Sequence, residues 1–328
     1  MNVLITGASG FIGGYLVKQC LEAGSSVLGI DVREPGQTWA GAEFEHCDVR
    51  DQERLFDIIS TFGPQRIFHL AAQSHPTESL VRPRETMDTN VGGTINLFES
   101  LRASRVRALV VVACSSAEYG KVANEDLPVR ETHSLLPLHP YGVSKVAQDL
   151  LAAQYFANYS VPSIRLRIFN TTGPGQRGDV CSDLASQAIE IEMGVRPPLM
   201  VVGNVTNRRA ILDVRDLVHA IWMSSEHCSP GEVYNVGADQ TSSVQDLIEM
   251  IRAQLSVTFE VEQDPAIMRA CDEPIVAGDN SKFRSCCAWM PKFQLATTIC
   301  DMLNWWSLWL GGPARITPMS ILSSRLKV

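Results

Sequence analysis

The sequence predicts a doubly wound α/β fold, in which helices cover both faces of a mainly parallel sheet, together with a smaller α/β lobe. Three observations predict it. Residues 3–5 form a short apolar run that leads into a glycine-rich turn and then a helical segment. Apolar strands and helices alternate as far as residue 169, and beyond it Gly- and Pro-rich turns interrupt the alternation. Such alternation is typical of parallel sheets whose strands are joined by helices.

The glycines after the first predicted strand indicate a dinucleotide site. Gly7, Gly10 and Gly13 are spaced three residues apart, just before a predicted helix at residues 15–22. In this setting the first glycine allows a tight turn, the second lets the backbone approach a pyrophosphate, and the third lets the helix pack on the strand. The free N–H groups of the helix N-terminus favour phosphate. We therefore predict a Rossmann-type cofactor site that includes Phe11 and Ile12 of the same turn.

The remaining elements follow in the order that this fold requires. The sequence predicts strands at residues 26–31, 43–48, 66–72, 108–113 and 163–169, and helices at residues 52–62, 85–103, 140–158 and 182–193. We assign residues 1–169 and about 205–237 to the dinucleotide-binding domain, and residues of about 170–204 and 238–310 to the smaller substrate-binding lobe. Residues 311–328 lack amphipathic order, so we expect a frayed tail.

The composition argues against several classes of partner. The 328 residues carry a net charge of −8 without a basic cluster, so we expect neither nucleic acid nor an anionic membrane as a partner. The nine cysteines and seven histidines show no metal-ligand spacing, so no metal is predicted. The sequence predicts no leader peptide and no membrane-spanning run, and we expect a cytoplasmic protein with reduced thiols.

Three residues predict proton-transfer chemistry. Tyr141 and Lys145 are four residues apart and share one face of a predicted helix. A free tyrosine keeps its proton to about pH 10, and a nearby ammonium is expected to lower the pKa of the phenol toward neutrality. Ser115 follows the strand at residues 108–113, at the sheet edge where ligands of such folds bind. Its hydroxyl can donate to a substrate carbonyl while Tyr141 transfers the proton.

The end of the second predicted strand bears on the choice of cofactor. Asp31 lies where a carboxylate accepts hydrogen bonds from the adenosine ribose and repels a 2′-phosphate. Arg33 follows two residues later and is able to pair with such a phosphate. The sequence therefore favours NAD(H) as the cofactor and leaves NADP(H) possible.

Taken together, the motifs resemble those of extended short-chain dehydrogenases/reductases, the NAD-dependent epimerase/dehydratase family that modifies nucleotide-activated sugars. The resemblance spans residues 1–310 and rests on Thr6-Gly-Ala-Ser-Gly-Phe-Ile-Gly13, Asp48-Val49, Leu70-Ala-Ala-Gln73, Asn90-Val-Gly-Gly-Thr94, Ser115-Ser116, Tyr141-Gly-Val-Ser-Lys145 and Asp213-Val-Arg-Asp216. It implies further cofactor contacts from Asp48, Val49, Leu70, Ala71, Ala72, Gln73, Asn90, Tyr141 and Lys145. It also implies a homodimer built from the helices at residues 85–103 and 141–158, with Leu150, Leu151, Tyr155 and Phe156 supplying apolar surface.

Within this family, the second half is most similar to the GDP-mannose branch of reductases and 4,6-dehydratases. The similarity lies in Asn170-Thr-Thr-Gly-Pro-Gly-Gln176, Ser182-Asp-Leu-Ala-Ser-Gln187, Ile189-Glu-Ile-Glu-Met193, Val202-Gly-Asn204 and Met268-Arg-Ala-Cys-Asp-Glu-Pro274. It implies that a GDP-linked sugar is bound by Ser116, Ala117, Asn170, Arg209, Arg269 and Asp272, with the two arginines on its diphosphate and Asp272 on its ribose. The physical chemistry agrees, because guanidinium groups suit phosphate oxygens.

Two departures from the family pattern bear on the reaction. Related dehydratases carry a catalytic glutamate at the position that Ala117 occupies here. Glu118 is one residue away and, on extended backbone, should point to the other side. The pair Ala210-Ile211 replaces the usual Asp-Phe after the phosphate-binding arginine, which bears on the geometry of that loop.

The expected function follows from the first departure. The resemblance and the missing base predict NAD(P)H-dependent reduction of a 4-keto-6-deoxy sugar, with GDP-4-keto-6-deoxy-D-mannose giving GDP-D-rhamnose. One alternative is a 4,6-dehydratase or 4-epimerase that recycles the hydride on its cofactor. Another is a non-catalytic NAD(P)-binding sensor, against which the complete set of Ser115, Tyr141 and Lys145 argues.

Overall fold

A computed structural model describes residues 1–36, 40–268 and 273–315 of the chain. Its strands are β1 (Asn2–Thr6), β2 (Ser26–Asp31), β3 (Ala42–His46), β4 (Arg66–His69), β5 (Leu109–Ser115), β6 (Ser163–Ile168), β7 (Thr171–Thr172), β8 (Leu199–Val202), β9 (Arg208–Ala210), β10 (Leu212–Asp213), β11 (Val233–Val236), β12 (Thr241–Ser243), β13 (Glu260–Gln263) and β14 (Ile275–Val276). Its helices are α1 (Phe11–Glu22), α2 (Gln52–Phe62), α3 (Pro76–Val81), α4 (Pro83–Met87), α5 (Gly93–Ser104), α6 (Pro140–Tyr159), α7 (Val180–Glu192), α8 (Val214–His227), α9 (Val244–Arg252), α10 (Ser281–Cys287) and α11 (Leu295–Trp309).

Seven strands form the central sheet in the order β11-β6-β5-β4-β1-β2-β3. Every neighbouring pair in it runs parallel. The strand order reverses at β1, which has β4 on one side and β2 on the other. A ligand crevice is expected at the carboxyl ends of the strands at such a reversal. The predicted doubly wound parallel sheet is confirmed.

Helices cover both faces of this sheet and create two apolar cores. Because successive side chains of a strand point to opposite faces, Val3 and Ile5 enter one core and Leu4 enters the other. The first core includes residues of α1 and α8, such as Leu217. The second includes residues of α2, α5 and α6, such as Phe98. These packed helices hold the carboxyl edge of the sheet in place.

The smaller lobe has a core of its own, and its boundaries differ from those predicted. Apolar residues of α7, β8, α9 and α11 form this third core. β9 was assigned to the dinucleotide-binding domain, but it pairs with β12 and β14. Conversely, Phe283, Cys287 and Trp289 were assigned to the lobe and pack into the first core. Their apolar side chains pack with residues of α8 and β11. The indole N–H of Trp289 donates to the Asp216 carbonyl at 3.2 Å.

Two segments show features that the sequence did not predict. The helix expected at residues 85–103 is interrupted by a π-helical turn, Asp88–Gly92, between α4 and α5. Residues 311–315 contact the lobe, because the backbone N–H of Arg315 donates to Asn304 at 2.9 Å and its guanidinium group donates to the Gln254 carbonyl at 2.6 Å. The rest of the predicted tail, residues 316–328, lies outside the described residues.

Within the described ranges, none of the helices has both the length and the apolar character that crossing a bilayer requires.

Candidate active site

A cleft of about 2120 Å³ opens at the carboxyl edge of the sheet and extends to the smaller lobe. It brings together most of the predicted site residues from distant parts of the chain. Those on the cofactor side are Gly7, Gly10, Phe11, Ile12, Gly13, Asp31, Asp48, Val49, Leu70, Ala71, Ala72 and Gln73. Those farther along the cleft are Ser115, Ser116, Ala117, Tyr141, Lys145, Asn170 and Arg209.

The glycine turn after β1 has no room for side chains. Gly7 has a φ of +73°, and a Cβ atom there would lie 2.7 Å from the backbone nitrogen of Ala71. A Cβ atom on Gly13 would lie 2.6 Å from the Ala8 carbonyl oxygen. Gly10 is the N-cap of α1 and offers no side chain to its first N–H groups. The backbone is therefore close-packed and open to an anion, which fits the pyrophosphate of a dinucleotide.

Asp31 and Arg33 form the adenosine end of the cleft. The Asp31 carboxylate accepts the backbone N–H groups of Ser9 at 3.1 Å and Arg33 at 3.0 Å. The Arg33 side chain is 69% exposed, and its Nε atom lies 3.6 Å from the carboxylate. A Cβ atom on Gly10 would lie 3.8 Å from Arg33 Nη2, so the guanidinium group also lies over the glycine turn. This end therefore offers both a ribose acceptor and a cation for a 2′-phosphate.

Asn90 lies beneath the cofactor side of the cleft and is hydrogen-bonded to Gln73. It is fully buried and does not line the cleft, although the sequence placed it in the cofactor site. Its Oδ1 atom accepts the backbone N–H of Gln73 at 2.7 Å, and its Nδ2 atom donates to the Gln73 carbonyl at 3.0 Å and to Ser144 at 2.8 Å. Asn90 therefore holds Gln73, which lines the cleft, and direct contact between Asn90 and the cofactor stays a prediction.

The predicted catalytic residues converge from β5 and α6. Ser115 ends β5, whereas Tyr141 and Lys145 occupy the first two turns of α6. The Ser115 side chain lies close enough to the Tyr141 phenol to lower its pKa. The Lys145 ammonium donates to the Ala113 carbonyl at 2.9 Å and lies 5.7 Å from the centre of the Tyr141 ring. Two hydroxyls and one ammonium therefore face the same part of the cleft.

Burial controls the ionisation of this set. It raises the pKa of Tyr141 to about 12, the Ser115 side chain counteracts the rise, and the charge of Glu118 adds to it. Burial also lowers the pKa of Lys145. The predicted lowering of the Tyr141 pKa toward neutrality is therefore wrong for this structure. The reasons are that a buried phenolate is poorly solvated and that Lys145 donates to Ala113.

Ala117 and Glu118 differ in their access to the cleft. Ser116–Glu118 forms a 3₁₀ turn in which Ala117 lines the cleft, whereas Glu118 is fully buried and does not line it. The Oε1 atom of Glu118 accepts the Ser115 backbone N–H at 2.7 Å, and its Oε2 atom lies 3.2 Å from Arg167 Nε. Glu118 points away from the cleft as predicted, but the cause is a tight turn and not an extended backbone.

The substrate side is formed by the ends of β6 and β9. Asn170 is exposed in the cleft directly after β6. Arg209 lines the cleft from β9, and its guanidinium group donates to the carbonyls of Arg208 at 2.9 Å and Glu273 at 2.6 Å. Ala210 is buried beside it and Ile211 lines the cleft. Arg209 therefore lies at the site although Ala210-Ile211 replaces the usual Asp-Phe pair. Arg269 and Asp272 lie outside the described residues.

Sequence reasoning missed the charged groups beneath the site. Arg165 and Arg167 alternate with apolar residues along β6 and bind Asp149 of α6 at 2.7 and 2.9 Å. The alternation was a usable signal, because an arginine in a buried parallel strand needs a carboxylate partner. Ligand atoms of Cys114, Glu118 and Asp149 lie within 4.8 Å of one another. Arg167 already pairs with both carboxylates, so a metal ion is not needed to balance their charge.

The parallel sheet, the glycine turn after β1 and the set of Ser115, Tyr141 and Lys145 are typical of an extended short-chain dehydrogenase/reductase. The chain belongs to the family described as GDP-mannose 4,6 dehydratase, whose model matches residues 4–302. Members of this group are NAD(P)-dependent enzymes that act on nucleotide sugars, and this group includes reductases, epimerases and dehydratases.

Individual relatives are similar over nearly the full chain. The GDP-6-deoxy-D-mannose reductase of Pseudomonas aeruginosa is 29% identical over 307 residues, which cover 93% of this chain and 97% of the relative. The structure of RMD from Pseudomonas aeruginosa complexed with NADPH has a TM-score of 0.84 at 27% identity, covering 94% and 99% of the two chains. UDP-glucose 4-epimerase of Thermus thermophilus complexed with NAD has a TM-score of 0.83 at 25% identity, covering 93% and 99%. These cofactors agree with the prediction that NAD(H) is favoured and NADP(H) possible.

Proposed function

We propose that this protein is an NAD(P)H-dependent reductase that converts GDP-4-keto-6-deoxy-D-mannose to GDP-D-rhamnose. The observation that carries the proposal is the contrast between Ala117 and Glu118. Tyr141 and Ser115 supply the hydroxyls that reduction of a ketone needs, whereas Ala117 places a methyl group where a dehydratase needs a base. The similarity to the Pseudomonas aeruginosa reductase supports the same reaction.

The roles of the residues follow from their positions. When bound, NADH or NADPH would supply the hydride that reduces the C4 carbon. Ser115 donates a hydrogen bond to the C4 oxygen and Tyr141 gives that oxygen a proton. A Tyr141 phenol with a raised pKa is protonated at neutral pH, which is the form that a reductase needs. Lys145 holds the ribose next to the nicotinamide and places a positive charge beside the phenolate that forms.

The sugar nucleotide is proposed to lie between the sheet edge and β9. Asn170, Ser116 and Ala117 contact the sugar, and Arg209 pairs with the diphosphate. Guanidinium groups form charge-assisted hydrogen bonds with phosphate oxygens, and Arg209 is held toward the cleft by the carbonyls it binds. Roles for Arg269 on the diphosphate and Asp272 on the ribose remain predictions, as does a cytoplasmic location.

A homodimer completes the proposal. α6 exposes Val143, Leu150, Phe156 and Tyr159, and the adjacent α3 exposes Leu80 and Val81. Of the four residues named from the sequence, Leu150 is 56% exposed and Phe156 is 37% exposed, whereas Tyr155 is buried and Leu151 half-buried. An apolar surface of this kind is typical of an interface between subunits.

One experiment separates reduction from the alternative reactions. The protein is incubated with GDP-, dTDP-, UDP- and CDP-sugars, with and without NADH or NADPH, and the products are identified by mass spectrometry and NMR. Consumption of one reduced cofactor for each 4-keto-6-deoxy sugar supports the reductase. Product formation with the cofactor recycled would identify a dehydratase or an epimerase. Binding without any turnover would favour a sensor.

A further inference from the structure

Glu118 occupies a buried position directly beneath the proposed active site. Its Oε1 atom accepts the backbone N–H of Ser115 at 2.7 Å, and the Ser115 hydroxyl accepts the N–H of Ala117 at 3.2 Å. These bonds form a reciprocal cap around the 3₁₀ turn that ends β5. The orientation of the Ser115 hydroxyl therefore depends on a carboxyl group that does not reach the cleft.

The second oxygen of Glu118 lies beside another acceptor. Both oxygens of Asp149 already receive arginine hydrogen bonds, Oδ1 from Arg165 and Oδ2 from Arg167. Within the described part of the chain, Glu118 Oε2 is buried and receives no hydrogen bond of good geometry. Two ionised carboxylates would place two hydrogen-bond acceptors side by side. A proton on Glu118 avoids this, because the carboxyl group then donates to Asp149. Burial and the charge of Asp149 raise the pKa of Glu118 to about 8, although Arg167 opposes the rise.

Charged and titratable groups surround Glu118 on three elements. They are Cys114 on β5; Tyr141, Lys145 and Asp149 on α6; and Arg165 and Arg167 on β6, with Tyr119 next to it in the turn. The side chains of Glu118 and Asp149 are fully buried, so water screens their charges weakly. A negative charge on Glu118 opposes ionisation of Tyr141 and stabilises the Lys145 ammonium.

We propose that Glu118 is a positioning residue that holds Ser115 by accepting the backbone N–H of Ser115. Glu118 also shares a proton with Asp149, and loss of this proton makes Tyr141 a weaker proton donor. The kinetic part of this inference rests on the proposed reductase function. A glutamate in the turn after β5 thus acts through Ser115 and Tyr141, although it does not touch the substrate.

Two variants separate position from charge. Glu118→Gln keeps an oxygen for the Ser115 N–H and supplies an N–H for Asp149, but it cannot ionise. In the unaltered protein we expect kcat to decline as pH rises through about 8. In Glu118→Gln we expect near-normal kcat at neutral pH and no such decline. Glu118→Ala leaves the Ser115 N–H without its acceptor, and we expect kcat to fall about tenfold or more with KM nearly unchanged. Glu131→Gln, which changes a carboxyl group bound to the Asn235 N–H, serves as the control and should keep the normal profile.

Two measurements do not need turnover and therefore separate this inference from the proposed function. Amide exchange at Ser115 should be slow in the unaltered protein and in Glu118→Gln, and faster in Glu118→Ala. Infrared difference spectra should show a protonated carboxyl band at pH 6 that Glu118→Gln lacks. If no sugar is reduced but both results hold, the reductase proposal fails and Glu118 still positions Ser115. An unchanged exchange rate in Glu118→Ala, a missing carboxyl band, or an unchanged pH profile in Glu118→Gln would overturn the inference.

Discussion

The ammonium group of Lys145 donates a hydrogen bond to the carbonyl oxygen of Ala113 at 2.9 Å and so joins α6 to β5. This bond places the positive charge beneath the Tyr141 ring, 5.7 Å from its centre. Because Lys145 is buried and lines the cleft, it is held at the junction between the cofactor side and the predicted proton donor. The first two predictions concern these two side chains.

Replacing Tyr141 with phenylalanine should remove the proton donor and leave the shape of the cleft intact. We expect kcat to fall by about 10²- to 10⁴-fold, because only the transition state needs the transferable proton. The affinity for the nucleotide sugar should change little, as measured by calorimetric titration. Tyr159→Phe, at an exposed position on the same helix, is the matched control. Near-normal kcat in Tyr141→Phe would contradict the mechanism.

Replacing Lys145 with alanine should impair both turnover and cofactor binding. The ammonium is proposed to hold the nicotinamide ribose and also to stabilise the phenolate that forms on Tyr141. The measurements are kcat and the Kd of the reduced cofactor, with Lys282→Ala as a control at a lysine that pairs with Glu232. Unchanged cofactor affinity would remove the first of these roles.

Arg33 should affect NADPH more than NADH. Its guanidinium group lies beside Asp31 and over the glycine turn, where it can pair with a 2′-phosphate. Arg33→Ala should weaken NADPH binding about tenfold and leave NADH binding nearly unchanged, since a tenfold change corresponds to about 1.4 kcal/mol. Arg130→Ala, at another exposed arginine paired with an aspartate, is the control. We expect the unaltered protein to bind NADH more tightly, and equal or tighter binding of NADPH would reverse that preference.

GDP-mannose should not be dehydrated at a significant rate. Dehydration needs a base beside C5, and the methyl group of Ala117 cannot serve, while Glu118 is buried away from the cleft. A missing positioned base typically costs about 10²- to 10⁴-fold. With GDP-mannose and NAD(P)⁺ we expect almost no 4-keto-6-deoxy product by mass spectrometry. Efficient conversion would show that Glu118 or another group reaches C5.

Leu150 should lie in the proposed dimer interface. It is 56% exposed on α6, among other apolar side chains, and a buried charge without a partner there would oppose association. The unaltered protein should have the mass of a dimer by light scattering at micromolar concentration, and Leu150→Glu should shift it toward the monomer. Val195→Glu, at a 71% exposed residue after α7, is the control. A monomeric mass for the unaltered protein would rule out the homodimer.

Local patterns predicted the elements that hold the site. The residue period separated buried strands from helices, and the bounds predicted for β2 and α2 agree with the structure. The spacing of Tyr141 and Lys145 placed both on one face of α6. Such patterns depend on backbone geometry over a few residues, so they can be read directly from the sequence.

Contacts between distant segments could not be predicted in this way. Asn90 lies in a π-helical turn and binds Gln73. Trp289 was predicted to belong to the smaller lobe but packs in the first core. The predicted direction of the Tyr141 pKa shift was wrong, because burial by surrounding elements raises this pKa and the Lys145 ammonium donates to Ala113.

The sequence by itself determined the parallel α/β architecture, the glycine turn and the identity of the residues at the ends of the strands. The sequence also predicted that Glu118 points away from the cleft, but only the tertiary structure decided that it lies in a 3₁₀ turn and is buried against Arg167 of β6. The physical reason is that strand and helix periods are local, whereas the environment of a charge depends on side chains brought together from separate strands and helices.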